Sequence, residues 1–406
     1  MSRFAFVTWD GGGNVPPAVG IAQELTARGH AVRFIGYEVQ RKRFETQGFS
    51  FTALARTGQF DIYSADEPDR RIAGLMDNVW AGADHLDDIP EAVAADSTEV
   101  VVVDFSMHGA LAAMALLTVP VAVLAHSSIA GLTPPPDSPM GAARLVAANR
   151  LRERAGLKLL SRLNEAWIGH PTVVTTIPAL DPAAKGADHS VHYVGPVFER
   201  FRDRDWDSPW APDDDRPMVL VSFTTTRLWD QGGRIRNTLE ALDGEPFRVL
   251  VSAAQKPDLP SLPANAAIRP FVPHALVLPS TAVTVTHAGH GTVSASLAHG
   301  VPLVALPNPV ADQPFLAAAL QRLGAGIALD GESGPAAIRA AVQEVTGQPS
   351  YGGAAGMLAE LIRQAPGAAG AAVHLELLSK RHPEKAGANS GSAEAPRPPP
   401  GWRGFR

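Results

Sequence analysis

Apolar residues come in short runs separated by stretches with helical periodicity. Phe4–Thr8 is such a run, and it ends in the turn Asp10-Gly-Gly-Gly-Asn14. Pro16 and Pro17 follow; proline suits the first turn of a helix, where a missing N–H costs nothing. Ala18, Ile21, Ala22 and Leu25 then recur every three to four residues, and Arg28-Gly29 reads as a helix stop. Ala31–Ile35 is the next strand candidate. The unit is β–α–β, which implies parallel strands and a right-handed crossover. Val100–Asp104, a helix from about His108, and Val119–His126 form a second unit. Val100–Val103 is apolar throughout, the mark of a strand covered on both faces.

Two regions, 53–97 and 131–170, break the alternation, and Thr133-Pro-Pro-Pro-Asp137 marks a loop in the second. Inserts of this kind often shape a substrate pocket. Glu199–Pro217 is dense in Asp, Arg and Pro and reads as a linker. Strand candidates then resume at Met218–Phe223, Phe247–Ser252, Ile268–Phe271, Val283–His287, Pro302–Leu306 and Gly326–Leu329. The pattern predicts an α/β protein of two doubly wound parallel-sheet domains, 1–198 and 217–382. Between them runs a linker, 199–216, and a disordered tail, 383–406, follows. The last helix of the second domain can pack back on the first. Ligands of such sheets bind beyond the carboxyl ends of the strands, so the cleft between the domains is the expected site.

Composition narrows the function classes. Of 406 residues, 45% are hydrophobic and 19% charged, enough apolar material for sizeable cores. The formal net charge of −6 argues against a nucleic-acid partner, which needs clustered Lys and Arg. The 6% aromatic content supplies no stacking array for nucleic acid either. The absence of Cys excludes disulfides, thiolate metal sites and a Cys nucleophile, and fits a cytoplasmic chain. The most membrane-like stretch, Gly109–Ala125, is shorter than the ~20 residues of a spanning helix, and Thr118-Val-Pro120 divides it. No targeting segment is visible at the N-terminus.

The stretch from Phe271 to Gln313 carries the chemistry. A strand ends in His287, a Gly-rich turn Ala288-Gly-His-Gly-Thr292 follows, and a helix begins near Thr292. Backbone N–H groups at a helix N-terminus attract phosphate, and Gly289 and Gly291 permit close approach. Thr292 adds a hydroxyl and His287 a ring N–H. This makes a diphosphate cradle with no metal-ligand spacing. Taken alone, it is also an ordinary strand–turn–helix junction. His290 is either a further phosphate contact or a surface residue. A dinucleotide fingerprint starting at Gly11 fails, because its third Gly position is Pro16.

Together, Phe271-Val-Pro-His274, His287-Ala-Gly-His-Gly-Thr292, His299-Gly-Val-Pro-Leu303 and Asp312-Gln313 resemble the nucleotide-sugar signature of the plant and bacterial small-molecule glycosyltransferases. These have the fold called GT-B, two facing Rossmann-like domains. The resemblance implies that Phe271 and His274 recognise the base and that His287, Gly289 and Thr292 bind the diphosphate. It also implies that Asp312 and Gln313 contact the donor sugar. A Glu that many members place on the ribose corresponds to Ala295. Val219–Thr226 resembles the strand and turn opening the second domain, which makes Thr225 a candidate phosphate contact. Tyr193-Val-Gly-Pro196 resembles the last strand of the first. Gly13-Asn14-Val15-Pro16 resembles the family's Gly-His-Val-x-Pro opening.

In that opening the family's His is the general base, and here it is Asn14. An amide cannot take a proton near neutral pH, and a general base is worth ~10²–10⁴-fold. Asp104, where the family has an Asp that orients the His, ranks first as a substitute base, with Asp10 and His126 behind it. Asn14 could instead hydrogen-bond the acceptor, and an acidic acceptor such as a phenol would need less help. The resemblance implies an inverting, metal-independent glycosyltransferase with no bound cofactor. Its donor would be a TDP- or UDP-sugar, with TDP favoured, and its acceptor a small secondary metabolite held by the first domain. The alternatives are a nucleotide-sugar epimerase or hydrolase, and a degenerate binding partner.

Overall fold

The computed structural model describes residues 1–61, 68–201, 206–223, 231–254, 257–309 and 311–387, without the side chains of 68–69 and 381–387. Among these residues thirteen strands form two sheets. The first contains β1 (Arg3–Val7), β2 (Ala31–Gly36), β3 (Ser50–Ala53), β4 (Val100–Asp104), β5 (Val121–Ala125), β6 (Thr172–Val174) and β7 (Val191–Tyr193), in the order β3-β2-β1-β4-β5-β6-β7. The second contains β8 (Met218–Ser222), β9 (Arg248–Ser252), β10 (Ala266–Arg269), β11 (Thr281–Thr286), β12 (Leu303–Ala305) and β13 (Gly326–Ala328), in the order β10-β9-β8-β11-β12-β13. Among the described residues every strand pairing is parallel. The chain is therefore α/β with two doubly wound sheets.

Burial on both faces explains the unbroken apolar runs. In β4, Val101 and Val103 enter one core and Val100 and Val102 the other. In β8, Val219 and Val221 face one way and Met218 and Leu220 the other. Strand order reverses between β1 and β4 and again between β8 and β11. The loops after these strands open a crevice at the carboxyl edge of each sheet, where α/β proteins place their ligands.

The helix Gly367–Gly387 leaves the second sheet and packs on the first. Ala371, Ala372, Leu375 and Leu378 join the core around Phe4 and Phe34. Gly367 N–H donates to Val194 C=O at 2.6 Å, and Glu376 meets Arg28 and His30 at 3.3 and 3.0 Å. The tail expected from Pro383 starts inside this helix, which runs on to Gly387; 388–406 lie outside the described residues.

Several boundaries differ from the sequence reading. The strand expected around Tyr193-Val-Gly-Pro196 is Val191–Tyr193 and stops where that motif begins. β3 and β6 were not anticipated: four and three residues long, they are too short for a periodicity to show. The region 53–97 holds the helices Pro68–Leu75, Met76–Trp80 and His85–Ala94, and 131–170 holds Pro139–Arg154. Ser138 caps the last of these, accepting from Gly141 N–H at 3.1 Å, with Pro139 in the first turn. Among the described residues no helix is long and apolar enough to cross a membrane.

Candidate active site

The loop after β1 and the end of β4 meet in a closed hydrogen-bond network. Asn14 precedes the helix Val15–Ala27, in the position where Asn usually caps, yet its side chain makes no cap bond. Its Nδ2 donates to Asp104 Oδ2 and to Trp9 C=O, both at 2.8 Å, and its Oδ1 accepts from Gly11 N–H at 2.9 Å. Asp104 Oδ1 accepts from Ser106 N–H at 2.9 Å and from its Oγ at 2.5 Å. Trp9 Nε1 donates to Ser106 Oγ at 2.8 Å. Asn14 is 2% exposed and Asp104 3%.

Both ends of the Asn14 amide are thus engaged inside the protein, and Asp104 is buried with its carboxylate held by Ser106 and Asn14. Asp10 turns into its own loop, accepting from Gly12 N–H at 3.1 Å. His126 differs. It follows β5, is only partly buried, and lies against Phe105 with ring centroids 5.5 Å apart.

On the second domain, β11 ends at Thr286 and the helix His290–Ala298 begins four residues later, with Gly289 at its N-cap. The helix thus starts two residues before Thr292. His287 is buried, and burial, helped by the charge of Arg234, pulls its pKa down to about 4. It is a neutral imidazole at pH 7, and its Nδ1 has no partner among the described residues. A Cβ on Gly289 would lie 2.4 Å from His287 Nε2, so this glycine lets the ring lie over the helix start. Gly291 is exposed and Thr292 partly buried. His290 is not on the surface: it is buried and hydrogen-bonded with Ser294 Oγ at 3.1 Å. Burial pulls its pKa down to about 3.

Phe271 is 46% exposed and presents its edge or face to Phe201, 6.3 Å away. His274 is hydrogen-bonded with Ser222 Oγ at 3.2 Å, and burial pulls its pKa down to about 4. Thr225 lies outside the described residues.

Asp312 sits at the N-cap of the helix Gln313–Arg322 and, like Asn14, makes no side-chain cap bond. Its Oδ2 accepts from Ser127 Oγ of the first domain at 2.5 Å. Burial raises its pKa, opposed by the hydrogen bond from Ser127 and by the nearby His126 ring. A Cβ on Gly131 would come within 2.9 Å of Asp312 Cα, so the two domains touch here. Gln313 Oε1 accepts from Asn308 N–H and Nδ2, both at 3.0 Å, and Asn308 Oδ1 accepts from Arg234 Nη1. Two non-glycine residues with positive φ in the described chain, Ala288 (63°) and Ala311 (54°), each precede one of these N-caps. Such conformations cost of order 1–3 kcal/mol and persist where surrounding structure demands them.

Sequence reasoning did not find Ser106, Ser127, Arg234 or Asn308. Ser127 was legible only as the neighbour of His126. Arg234 lies 74 positions from Asn308, and no local pattern joins them. Among the described residues no three His, Asp or Glu side chains gather as metal ligands.

Known proteins agree with this architecture. Residues 234–378 match the family model described as erythromycin biosynthesis protein CIII-like, C-terminal domain. The chain is 30% identical over 345 residues to demethyllactenocin mycarosyltransferase of Streptomyces fradiae, covering 76% of this chain and 71% of that protein. It is 36% identical over 191 residues to TDP-daunosamine transferase of Streptomyces peucetius, covering 44% and 43%. The crystal structure of the glycotransferase of kitacinnamycin superposes with a TM-score of 0.76 at 21% identity, over 93% of this chain and 98% of that one, and supports the GT-B fold. The chain belongs to the nucleotide-sugar-dependent UDP/TDP glycosyltransferase superfamily and is a glycosyltransferase of its natural-product type.

Proposed function

We propose that the enzyme transfers a sugar from a TDP-sugar to a small acceptor, with inversion and without a metal. The observation that carries this reading is the convergence of His287, Gly289, Thr292 and the start of the helix His290–Ala298 at the carboxyl edge of the second sheet. Neutral His287 donates a ring N–H, Thr292 a hydroxyl and the helix its free N–H groups. These preorganised donors meet the negative charge that develops on a departing diphosphate, work that a metal would otherwise perform. Phe271 offers an exposed ring to the base, and Asp312 a carboxylate to sugar hydroxyls. The preference for TDP rests on the daunosamine transferase, whose name gives a TDP donor.

The acceptor lies against the first domain. Its oxygen attacks the anomeric carbon opposite the diphosphate, in one displacement that inverts that centre. Of the residues considered for taking its proton, Asn14 and Asp104 are committed to each other and Asp10 to its turn. His126 is partly exposed at the end of β5 and near Asp312, so the role falls to it. The test is turnover of matched TDP- and UDP-sugars with a phenolic acceptor, with and without EDTA, reading the product's anomeric configuration by NMR. An inverted product that forms equally in EDTA, and faster from the TDP-sugar, is expected. Retention, or loss of activity in EDTA, would overturn the mechanism.

A further inference from the structure

Three arginines of the described chain are buried: Arg33, Arg144 and Arg234. Arg33 and Arg234 each have a carboxylate at hand, Asp96 at 3.6 Å and Glu332 at 3.1 Å. Arg144, on the helix Pro139–Arg154, has no carboxylate within ion-pair distance among the described residues. Its hydrogen bonds there run from Nε and Nη2 to His108 Nε2, at 3.3 and 3.0 Å. This geometry makes His108 Nε2 the acceptor and leaves the imidazole neutral. Burial and then the charge of Arg144 hold the His108 pKa well below its usual range. His108 thus orients the guanidinium without neutralising it. Burial lowers the Arg144 pKa to about 10, against the pull of Asp104, so it stays charged at neutral pH. Among the described residues Asp104 acts on it only from beyond ion-pair distance, and a buried cation without a carboxylate in contact is costly to maintain.

Its surroundings say what would relieve that cost. The guanidinium lies 5.3 Å over the Trp80 ring, and Trp80 stands edge-on to Trp9 at 6.4 Å. Trp9 in turn holds Ser106, which holds Asp104. An aromatic wall therefore leads from the Asn14–Asp104 pair to a fixed positive charge.

We propose that Arg144 is an acceptor-specificity residue, pairing with an anionic oxygen on a planar aromatic acceptor that lies along Trp80, which Trp9 backs edge-on. The anion is a carboxylate or an ionised phenol; both present the oxygen that a planar guanidinium fork binds best. This rests on the reading of the first domain as the acceptor side.

The test measures binding of two probe pairs by quenching of tryptophan fluorescence. One pair is 1-hydroxy-2-naphthoate and its methyl ester; the other is 4-nitrophenol and its methyl ether, at pH 8. The wild-type enzyme is expected to bind at least one anion about tenfold or more tighter than its neutral partner. Arg144→Gln should abolish that preference, and Arg144→Lys should restore part of it. The pair that responds distinguishes carboxylate from phenolate. Equal binding of both members in both pairs, no binding at all, or a preference that survives in Arg144→Gln would overturn the proposal. TDP binding, measured on the same samples, reports separately on the donor site. Loss of TDP binding in the wild type would overturn the donor reading while the anion preference stays readable.

Discussion

Asn14 and Asp104, 90 positions apart, are joined by a 2.8 Å hydrogen bond in which the amide donates to the carboxylate. The bond replaces the cap that Asn14 would otherwise give its own helix. A side chain at the N-cap usually contributes about 0.5–2 kcal/mol to its helix. Here that capacity is spent on closing the loop over Trp9 and on satisfying a buried carboxylate. Removing the amide leaves Asp104 short of a donor. Asn14→Ala should therefore destabilise the protein by about 1–3 kcal/mol, the cost of an unsatisfied buried group. Urea unfolding followed by tryptophan fluorescence measures it, and a loss below a few tenths would show that the pair is not structural.

His126 and Asp104 separate under mutation. His126→Ala should lower kcat by about 10²–10⁴ while leaving donor KM and melting temperature near wild type. Asp104→Asn should lower stability as well as rate, because Ser106 and Asn14 lose their acceptor. A His126→Ala enzyme with unchanged kcat would move the proton-accepting role elsewhere.

Gly289 is where a single methyl group should be felt. The added Cβ would lie 2.4 Å from His287 Nε2, in a ring with little room to move. Gly289→Ala should raise the KM for the nucleotide sugar about tenfold or more and leave acceptor KM little changed. Steady-state kinetics with each substrate varied in turn decide it.

Asp312 and Ser127 tie one domain to the other across a 2.5 Å hydrogen bond. A donor sugar that binds Asp312 must share or displace that bond. Ser127→Ala should therefore tighten donor binding modestly, by a few-fold. Gly131→Ala should weaken it, because its Cβ would push against Asp312 Cα at 2.9 Å. Calorimetric titration with TDP-sugar gives both values, and the same sign in the two variants would contradict the contact as a competitor for the sugar.

Acid should destabilise the enzyme well before carboxylates protonate. Burial pulls the pKa of His85, His274 and His287 down to about 4, and that of His290 to about 3. In the unfolded chain each titrates near 6.5. The unfolded state therefore binds more protons as pH falls, so stability is full above pH 6.5 and is lost progressively toward pH 4. Each histidine contributes up to about 1.4 kcal/mol per pH unit in that window. Melting temperatures at half-unit steps should fall steeply from pH 6.5 to 4.5. A flat profile would mean that these rings are hydrated. A bound diphosphate favours the charged form of His287, so TDP should stabilise the protein more at pH 5.5 than at pH 7.5.

The two-sheet architecture was legible because its causes are local. Strands buried on both faces must be apolar at every position, as Val100–Val103 and Val219–Val221 are. Helices between them must carry a 3.6-residue period, and Pro16, Pro17 and the Gly-rich turn after Trp9 punctuate where they must. The strand–turn–helix around His287 was legible for the same reason: Gly289 and the helix start are neighbours in sequence. What proximity in sequence cannot show is where a polar side chain is spent. Asn14 and Asp312 both occupy N-cap positions, and both direct their side chains to partners far away in the chain, 90 and 185 positions off. Those partners are chosen by how β1 lies beside β4 and how one domain lies against the other. The sequence alone determined the two-sheet α/β pattern, the order of its longer elements and the strand–turn–helix around His287. Only the tertiary structure decided that Asn14 is bonded to Asp104, that Asp312 meets Ser127 of the first domain, and that Arg144 is a buried charge with no carboxylate in ion-pair contact among the described residues.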